Sequence, residues 1–287
     1  MKVKAFAPGH ISSIFRICSH SRNCLTGSRG AGIVIDKGVE TEVRLKKSSG
    51  IKIFFNNKQI DFRVSEVMTR KMLKSCDGLE IYHKTELPLG AGFGISGASI
   101  LSLGLCLNKL FDLKLSLNNI GKIAHETEVE LGTGLGDVGP MLTGGIEMRK
   151  KEGAPGYNII DCINSTENDF QCFSFGGIST KDIIKSDKRK KLINKYADVC
   201  LGKLFGNPTF ENFMEQSNKF AEKTNLMSAR LKIAIEKLNS FPNCHASMIM
   251  LGESGFVFGA DKNIIDNVLK GADVFKVKVG FRPPTLL

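Results

Sequence analysis

The stretch Pro88-Leu-Gly-Ala-Gly-Phe-Gly-Ile-Ser-Gly-Ala-Ser99 decides how this chain is read. Gly92, Gly94 and Gly97 spell G-x-G-x-x-G, the spacing of a dinucleotide-binding turn. Such a turn needs a buried parallel strand before it and an acidic residue closing the next strand, about 20 residues later. The preceding strand here carries Tyr82, His83, Lys84 and Glu86, then meets Pro88. A strand buried on both faces is nearly continuous Val, Ile and Leu, so this one does not qualify. Asp112 stands at a suitable distance but precedes Leu-Lys-Leu instead of ending a strand. A nicotinamide dinucleotide is therefore set aside. A phosphate is not: successive glycines let backbone N–H groups approach an anion, and a helix starting near Gly97 aims its unpaired N–H groups at the same point. No G-x-x-x-x-G-K-[ST] occurs, which excludes a Walker loop. For the loop alone, a purely structural glycine turn is the competing reading.

The flanking pattern is β-rich before the loop and helical after it. Strands are expected at 3–7, ending at Pro8-Gly9, and at 30–45 as two strands joined near Lys37-Gly38, with further strands at 51–55, 60–64 and 79–86. Helices are expected at 64–73, 97–110 and 117–131, the last capped by Ser116. A strand at 146–149 follows a glycine-rich turn, and 151–156 reads as a loop. Beyond it come helices at 210–220, 226–238 and 263–269, with strands at 247–251, 255–260 and 274–279. Strands first, helices in the middle and a mixed end favour an α+β class over regular βαβ winding. The expected division is a nucleotide-binding domain at 1–150 and a second domain at 151–287.

The chain has 287 residues, 42% of them apolar, and a net charge of +11, a balance suited to anionic partners without selecting among them. Eight cysteines lack any C-x-x-C pair and read as reduced thiols of a cytoplasmic protein. No membrane span is expected: the uncharged stretch 87–108 is half glycine loop, leaving about eight apolar helical residues where roughly 20 are needed. Pro8 and Gly9 interrupt any leader core. The basic run from Lys181 to Lys195 reads as a solvated helix face, because no aromatic interleaves it before Tyr196 to stack a base.

Three separated motifs in order, Ala7-Pro-Gly-His-Ile11, the 88–98 loop, and Glu128 to Asp137 with Gly144-Gly145, resemble the GHMP small-molecule kinases, the superfamily of galactokinase, homoserine kinase and mevalonate kinase. The resemblance covers about the first 150 residues and, more weakly, the C-terminal third. Thr26-Gly-Ser-Arg-Gly-Ala-Gly32, Ala124-His-Glu-Thr-Glu-Val129, Gly132-Thr-Gly-Leu-Gly-Asp137 and the segment from Thr143 to Gly156 look like its archaeal pantoate kinase branch. That resemblance implies a fold, a reaction and a set of site residues. The fold would be the GHMP kinase fold, with an N-terminal ribosomal-protein-S5-domain-2-like subdomain and a ferredoxin-like α+β C-terminal one. The reaction would be ATP- and Mg²⁺-dependent phosphorylation of the 4-hydroxyl of pantoate in coenzyme A synthesis, in the cytoplasm, with homodimerisation a family-level expectation. Neither a nucleic acid nor a membrane would be a partner.

The resemblance assigns the nucleotide to Pro88, Gly90, Ala91, Gly92, Gly94, Ser96 and Gly97, with Ser96 and Glu128 on the metal. Hard oxygen ligands of this kind suit Mg²⁺. Asp137 matches the catalytic aspartate, able to accept the proton of the acceptor alcohol or to orient it. Ser28, His125 and Arg149 are assigned to pantoate, whose carboxylate suits the planar fork of an arginine; His10 and Arg29 are secondary pocket residues. The bland alternatives are plain: Ser96 or Asp137 as helix caps, His125 as a structural histidine, Arg149 as the solvated start of Arg-Lys-Lys, and Glu126 and Glu130 as surface carboxylates. Residues 250–256 hold only two glycines where the superfamily places a third glycine-rich loop, and read as a hairpin turn. Two alternatives stand beside pantoate: a related kinase of homoserine or mevalonate, and a non-catalytic RNA-binding module. Glu128 and Asp137 beside a phosphate loop oppose the latter, because carboxylates repel an RNA backbone.

Overall fold

The computed structural model describes residues 2–47, 50–74, 78–176 and 187–287. The first layer is a mixed eight-stranded sheet. Its long axis is the antiparallel pair β1 (Lys2–Cys18) and β2 (Gly27–Leu45). β3 (Ile51–Phe55), β4 (Lys58–Gln59) and β5 (Leu79–Lys84) extend it on one side, β3 and β5 pairing in parallel. β6 (Ile146–Lys151) pairs with the other half of β2, and β7 (Ile159–Ile163) with β6. Near the C-terminus β12 (Thr285–Leu286) returns to pair with β1. Two strands from beyond residue 150 thus belong to the first sheet.

Both breaks expected in β1 and β2 are absorbed as one irregularity. Pro8 pairs with Gly38 and Gly9 with Ile35, so the register shifts there and both strands run on. A bulge is a position where a proline's missing N–H leaves no ladder bond unmade. The turn residues signal a local kink correctly, but tertiary pairing continues through it.

Helices α1 (Arg63–Met72), α2 (Ile95–Leu110), α3 (Leu117–Leu131) and α4 (Val138–Thr143) cover one face of this sheet. α2 is the central one, with Ala98, Ile100, Leu101, Leu103, Cys106 and Leu107 fully buried. A helix apolar on nearly every side has to lie inside the molecule. α3 follows its amphipathic pattern; Ser116 accepts a bond from Asn119 N and Gly132 closes the helix in the left-handed region. Asp112, the misplaced candidate of the dinucleotide reading, sits in the exposed turn after α2 beside Lys114.

The second layer is a four-stranded antiparallel sheet, ordered β11 (Asp273–Lys278), β8 (Asp169–Ser174), β10 (Ser254–Phe258), β9 (His245–Ile249). α5 (Asp187–Gly206), α6 (Phe210–Thr224), α7 (Ala229–Asn239) and α8 (Lys262–Val268) accompany it. Phe170, Phe210, Phe256 and Phe258 form its aromatic centre, with Phe170 stacked on Phe258 at 4.5 Å. The layers meet across β1, where Met250 N donates to Ser12 O at 2.9 Å and Phe93 packs edge-on against Phe275. The α+β class expected from the element order is what forms. Strands β7 and β8 lie in a segment whose periodicity is too mixed to read from sequence.

The basic run falls partly on α5; Lys181 to residue 186 lies outside the described residues. Within α5, Lys190 reaches Ser19 and the buried side is Ile193, Ala197, Cys200, Leu201 and Leu204, which agrees with a helix whose other face is solvated. No described helix is long and apolar enough to cross a membrane. The described cysteines are free thiols.

Candidate active site

A cleft of about 570 Å³ runs between the glycine loop, the 132–137 loop and the β9–β10 turn. Its first wall is residues 89–96. Gly94 begins α2 with φ of +66° and no side-chain cap, so the opening N–H groups of that helix have neither a helical partner nor a capping side chain. A Cβ at Gly94 would sit 3.0 Å from His10 O and 2.8 Å from Met141 Cε, so only glycine fits this close approach. His10 N in turn donates to Phe93 O at 3.1 Å, joining the first and second sequence motifs by backbone. Gly90, Gly92, Gly94 and Ser96 face the cleft. Pro88 lies before it, Ala91 is fully buried behind it, and Gly97 stands one helical step deeper, against Glu128.

The 250–253 turn backs the loop. A Cβ at Gly92 would strike Ile249 Cγ2 and Met250 O, and Gly252 lies against Ala91 O. Met250 and Leu251 line the cleft itself. The segment is a hairpin turn, as its two glycines imply, and its part in the site is to press the glycine loop from behind. Phe62, Val64 and Leu89 add an aromatic and aliphatic lining that no sequence motif announces.

At the floor, Ser96 Oγ is buried close to the Glu128 carboxyl but makes no well-formed hydrogen bond. Glu128, 2% exposed, projects from α3 against Gly97 and Gly134. Burial, and then the nearby charge of Asp137, push its carboxyl well above the usual carboxylate range, with Ser96 and Thr133 partly opposing. A buried carboxylate held this way lacks a counter-charge. A buried hydroxyl and an uncompensated carboxylate, both oxygen donors, fit a divalent magnesium ion. Among the described residues no cluster of three or more His, Cys, Asp or Glu could hold a metal by itself; a hard cation held by one or two protein oxygens takes its remaining ligands from phosphates and water.

At the other end Asp137 and Ser28 line the cleft, and the charged side chains of His10, Glu147 and Arg149 are buried behind them without lining it. Asp137 stands at the start of α4 without making a capping bond, so the helix-cap reading does not hold. Its Oδ1 accepts from His10 Nδ1 at 2.7 Å. Burial would raise the Asp137 carboxyl, but the hydrogen bond and charge of His10, followed by the charges of Arg149 and His125, hold it below the usual range. Arg149 is 2% exposed, which removes the solvated reading of its Arg-Lys-Lys run. Strand alternation explains why: Glu147 and Arg149 share one face of β6 and pair across from Gly32 and Gly30 of β2, whose missing side chains leave the trough they fill. Arg149 Nη1 donates to Glu147 Oε1 at 2.6 Å, and Nη2 to Ser12 Oγ at 3.1 Å. Its Nε is buried and unpartnered, lying with Ser28 Oγ beneath Gly136. The expected two-pronged grip on a carboxylate is thus already used within the protein; one N–H and the Ser28 hydroxyl remain for a ligand.

His125 does not line the cleft. Its Nε2 donates to Thr26 O at 2.8 Å, and burial lowers its pKa despite that bond. It ties α3 to the strand entry that carries Ser28. Arg29 sits farther out, 3.6 Å from Glu152. Glu130 is exposed and paired with Lys71, as expected, while Glu126 is half-buried. Ser12 and Glu147 escape sequence reasoning. For Glu147 the available signal is a pair of opposite charges at i and i+2 in a strand facing two glycines.

Known proteins agree with this geometry. A family model described as the GHMP kinases N terminal domain matches residues 62–145, from α1 through α4. The pantoate kinase of Methanocaldococcus jannaschii is 37% identical over 276 residues, covering 95% of this chain and 99% of its own. A solved structure described as a phosphotransferase related to the CoA biosynthesis pathway superposes with a TM-score of 0.88 at 25% identity, covering 100% of this chain and 99% of that one. A more distant structure, MDDEF in complex with MVAPP, AMPPCP and magnesium, shares the fold at a TM-score of 0.76 and 14% identity, covering 100% and 99%. A backbone cradle at one end of a cleft, a buried acid–cation cluster at the other and near full-length likeness to a curated relative converge: the chain belongs to the pantoate kinase family of the GHMP kinases.

Proposed function

We propose that this enzyme transfers the γ-phosphate of ATP to the 4-hydroxyl of pantoate, forming 4-phosphopantoate on the way to coenzyme A. Full-length likeness to a curated pantoate kinase carries the reading, and the cleft supplies the parts it needs. Residues 88–97 would receive the phosphates through backbone N–H groups and the N-terminal end of α2. Magnesium fits Ser96 and Glu128, and when bound would offset the phosphate charge. Asp137, kept ionised by His10, would accept a hydrogen bond from the acceptor hydroxyl and orient it toward the transferring group. Ser28 Oγ and Arg149 Nε, which lie together beneath Gly136, would receive the substrate carboxylate, with His125 supporting Ser28 through the Thr26 carbonyl. The nucleotide-binding domain is proposed as residues 1–150 with β7 and β12 added to its sheet, and 151–287 as the second domain.

The reading is tested by ADP release with Mg-ATP and D-pantoate, mevalonate or homoserine offered separately. Turnover with pantoate at least an order of magnitude above the other two is the expected result. Equal rates would remove the named acceptor and leave the kinase class.

A further inference from the structure

Asp137 and Arg149 come from different elements, yet both are bonded to one buried pair: His10, a secondary pocket residue of the first sequence motif, and Glu147, to which no motif assigns a role. His10 is fully buried. Its Nδ1 lies 2.7 Å from Asp137 Oδ1 and its Nε2 3.0 Å from Glu147 Oε1. The same Glu147 oxygen accepts from Arg149 Nη1 at 2.6 Å. Gly32 admits this arrangement: a Cβ there would lie 2.7 Å from His10 Nε2 and 3.0 Å from Glu147 Oε1.

We propose that Glu147 and His10 are positioning residues that set the acceptor end as one unit, Glu147 holding His10 as a doubly donating imidazolium so that His10 fixes Asp137 while Glu147 fixes Arg149. The proposal rests on the assignment of Asp137 to the acceptor hydroxyl and of Arg149 to the substrate carboxylate. A neutral imidazole has one N–H and one lone pair. With a carboxylate oxygen facing each ring nitrogen, either neutral tautomer leaves a lone pair against an oxygen. Only the imidazolium donates to both. The charged groups facing the ring are Asp137 ahead of α4 and Glu147 and Arg149 on β6; β2 presents Gly32 and the glycine loop presents backbone. Two cations and two anions then sum to zero in a site where an unpaired charge is costly. Arg149 Nη1 also lies 3.2 Å from Nε2, but Oε1 and Nε2 are 3.0 Å apart and so lie closer together, seen from Nη1, than its two diverging N–H groups; the N–H aimed at the nearer Glu147 oxygen leaves none aligned with Nε2. Burial disfavours the charged ring, and the bonds and charges of Asp137 and Glu147 outweigh it, raising its pKa.

Two measurements on the full-length protein decide the matter. ¹⁵N NMR of histidine-labelled enzyme at pH 7.5 should find both ring nitrogens of His10 protonated; a single unprotonated nitrogen overturns the proposal whatever any variant does. Glu147→Gln should lower kcat about 10- to 100-fold and raise the KM for pantoate, with the KM for ATP unchanged. It should also move the alkaline limb of the kcat–pH profile to lower pH, because His10 then keeps one carboxylate partner and loses its proton sooner. A purely structural Glu147 would scale the profile without moving the limb, and that result also overturns the proposal. Failure of the underlying site is distinguishable, since near-normal turnover by Asp137→Asn would remove the acceptor site itself while leaving the His10 protonation measurement intact.

Discussion

The two ends of the cleft are built by opposite means. The phosphate end is mostly backbone: glycines 90, 92 and 94, the first N–H groups of α2, and a hydroxyl from Ser96, with Arg63 of α1 also on the cleft lining. The acceptor end is side chains: Asp137, His10, Glu147 and Arg149, drawn from β1, β6 and the loop before α4. A backbone cradle is made by neighbours in sequence and recognises any polyphosphate of the right shape. A buried charge cluster is assembled across more than a hundred residues and can be matched to one small acid. Generality sits at one end and selectivity at the other.

Substitutions at each end should therefore fail differently. The largest effect is expected from Asp137→Asn, which should cut turnover by about 10²–10⁴-fold with the fold retained, read by ADP release beside circular dichroism. Arg149→Ala follows. Removing one of the two buried cations leaves His10 alone against two carboxylates and one negative charge uncompensated, so it should cost about 3–5 kcal/mol of stability as well as raising the pantoate KM, read by urea unfolding and by kinetics. Normal stability would return the guanidinium to a purely ligand-binding role. At the other end, Gly92→Ala places a Cβ at φ of +90° against Met250 O. It should raise the ATP KM about tenfold and leave the pantoate KM unchanged; a reversed pattern would break the division between the ends.

The smallest effect lies away from both ends. His83, on β5, is buried among Thr41 and Ser65 hydroxyls, and desolvation depresses its pKa to about 3. The unfolded chain therefore binds this proton first as pH falls. The stability contribution is complete above about pH 6.5 and is lost toward pH 3, by about 1.4 kcal/mol per pH unit. His83→Gln should flatten that slope in pH-dependent unfolding without changing kinetics at either end of the cleft.

Much of the phosphate end is legible in the sequence. Its glycines, the helix after them and the strand before them are neighbours, and local spacing is enough to reject a dinucleotide and keep a phosphate. α3 is readable to its boundaries, because its cap, its apolar period and its closing glycine agree. Glu128 and Asp137 come from the resemblance to a known family. The acceptor end is legible only in part. Arg149 looks like the head of a basic run, and nothing local says that Gly30 and Gly32 open a trough for it. His10 is a minor pocket candidate until its two carboxylate partners come into contact with it. Glu147 lies inside the Thr143 to Gly156 segment, but nothing there assigns it a role.

By itself, then, the sequence determined the α+β class, the glycine turn proposed for the phosphates and the helices around it, because those depend on spacing within one or two turns of chain. Tertiary structure decided that β1 and β2 run through their bulge, that Arg149 is buried with most of its hydrogen bonds already taken, and that one Glu147 oxygen bonds both His10 and Arg149. The reason is physical. Strand pairing and burial of charge are set by what lies opposite, and that residue is distant in the chain, as Gly38 is from Pro8 and, farther still, Glu147 is from His10.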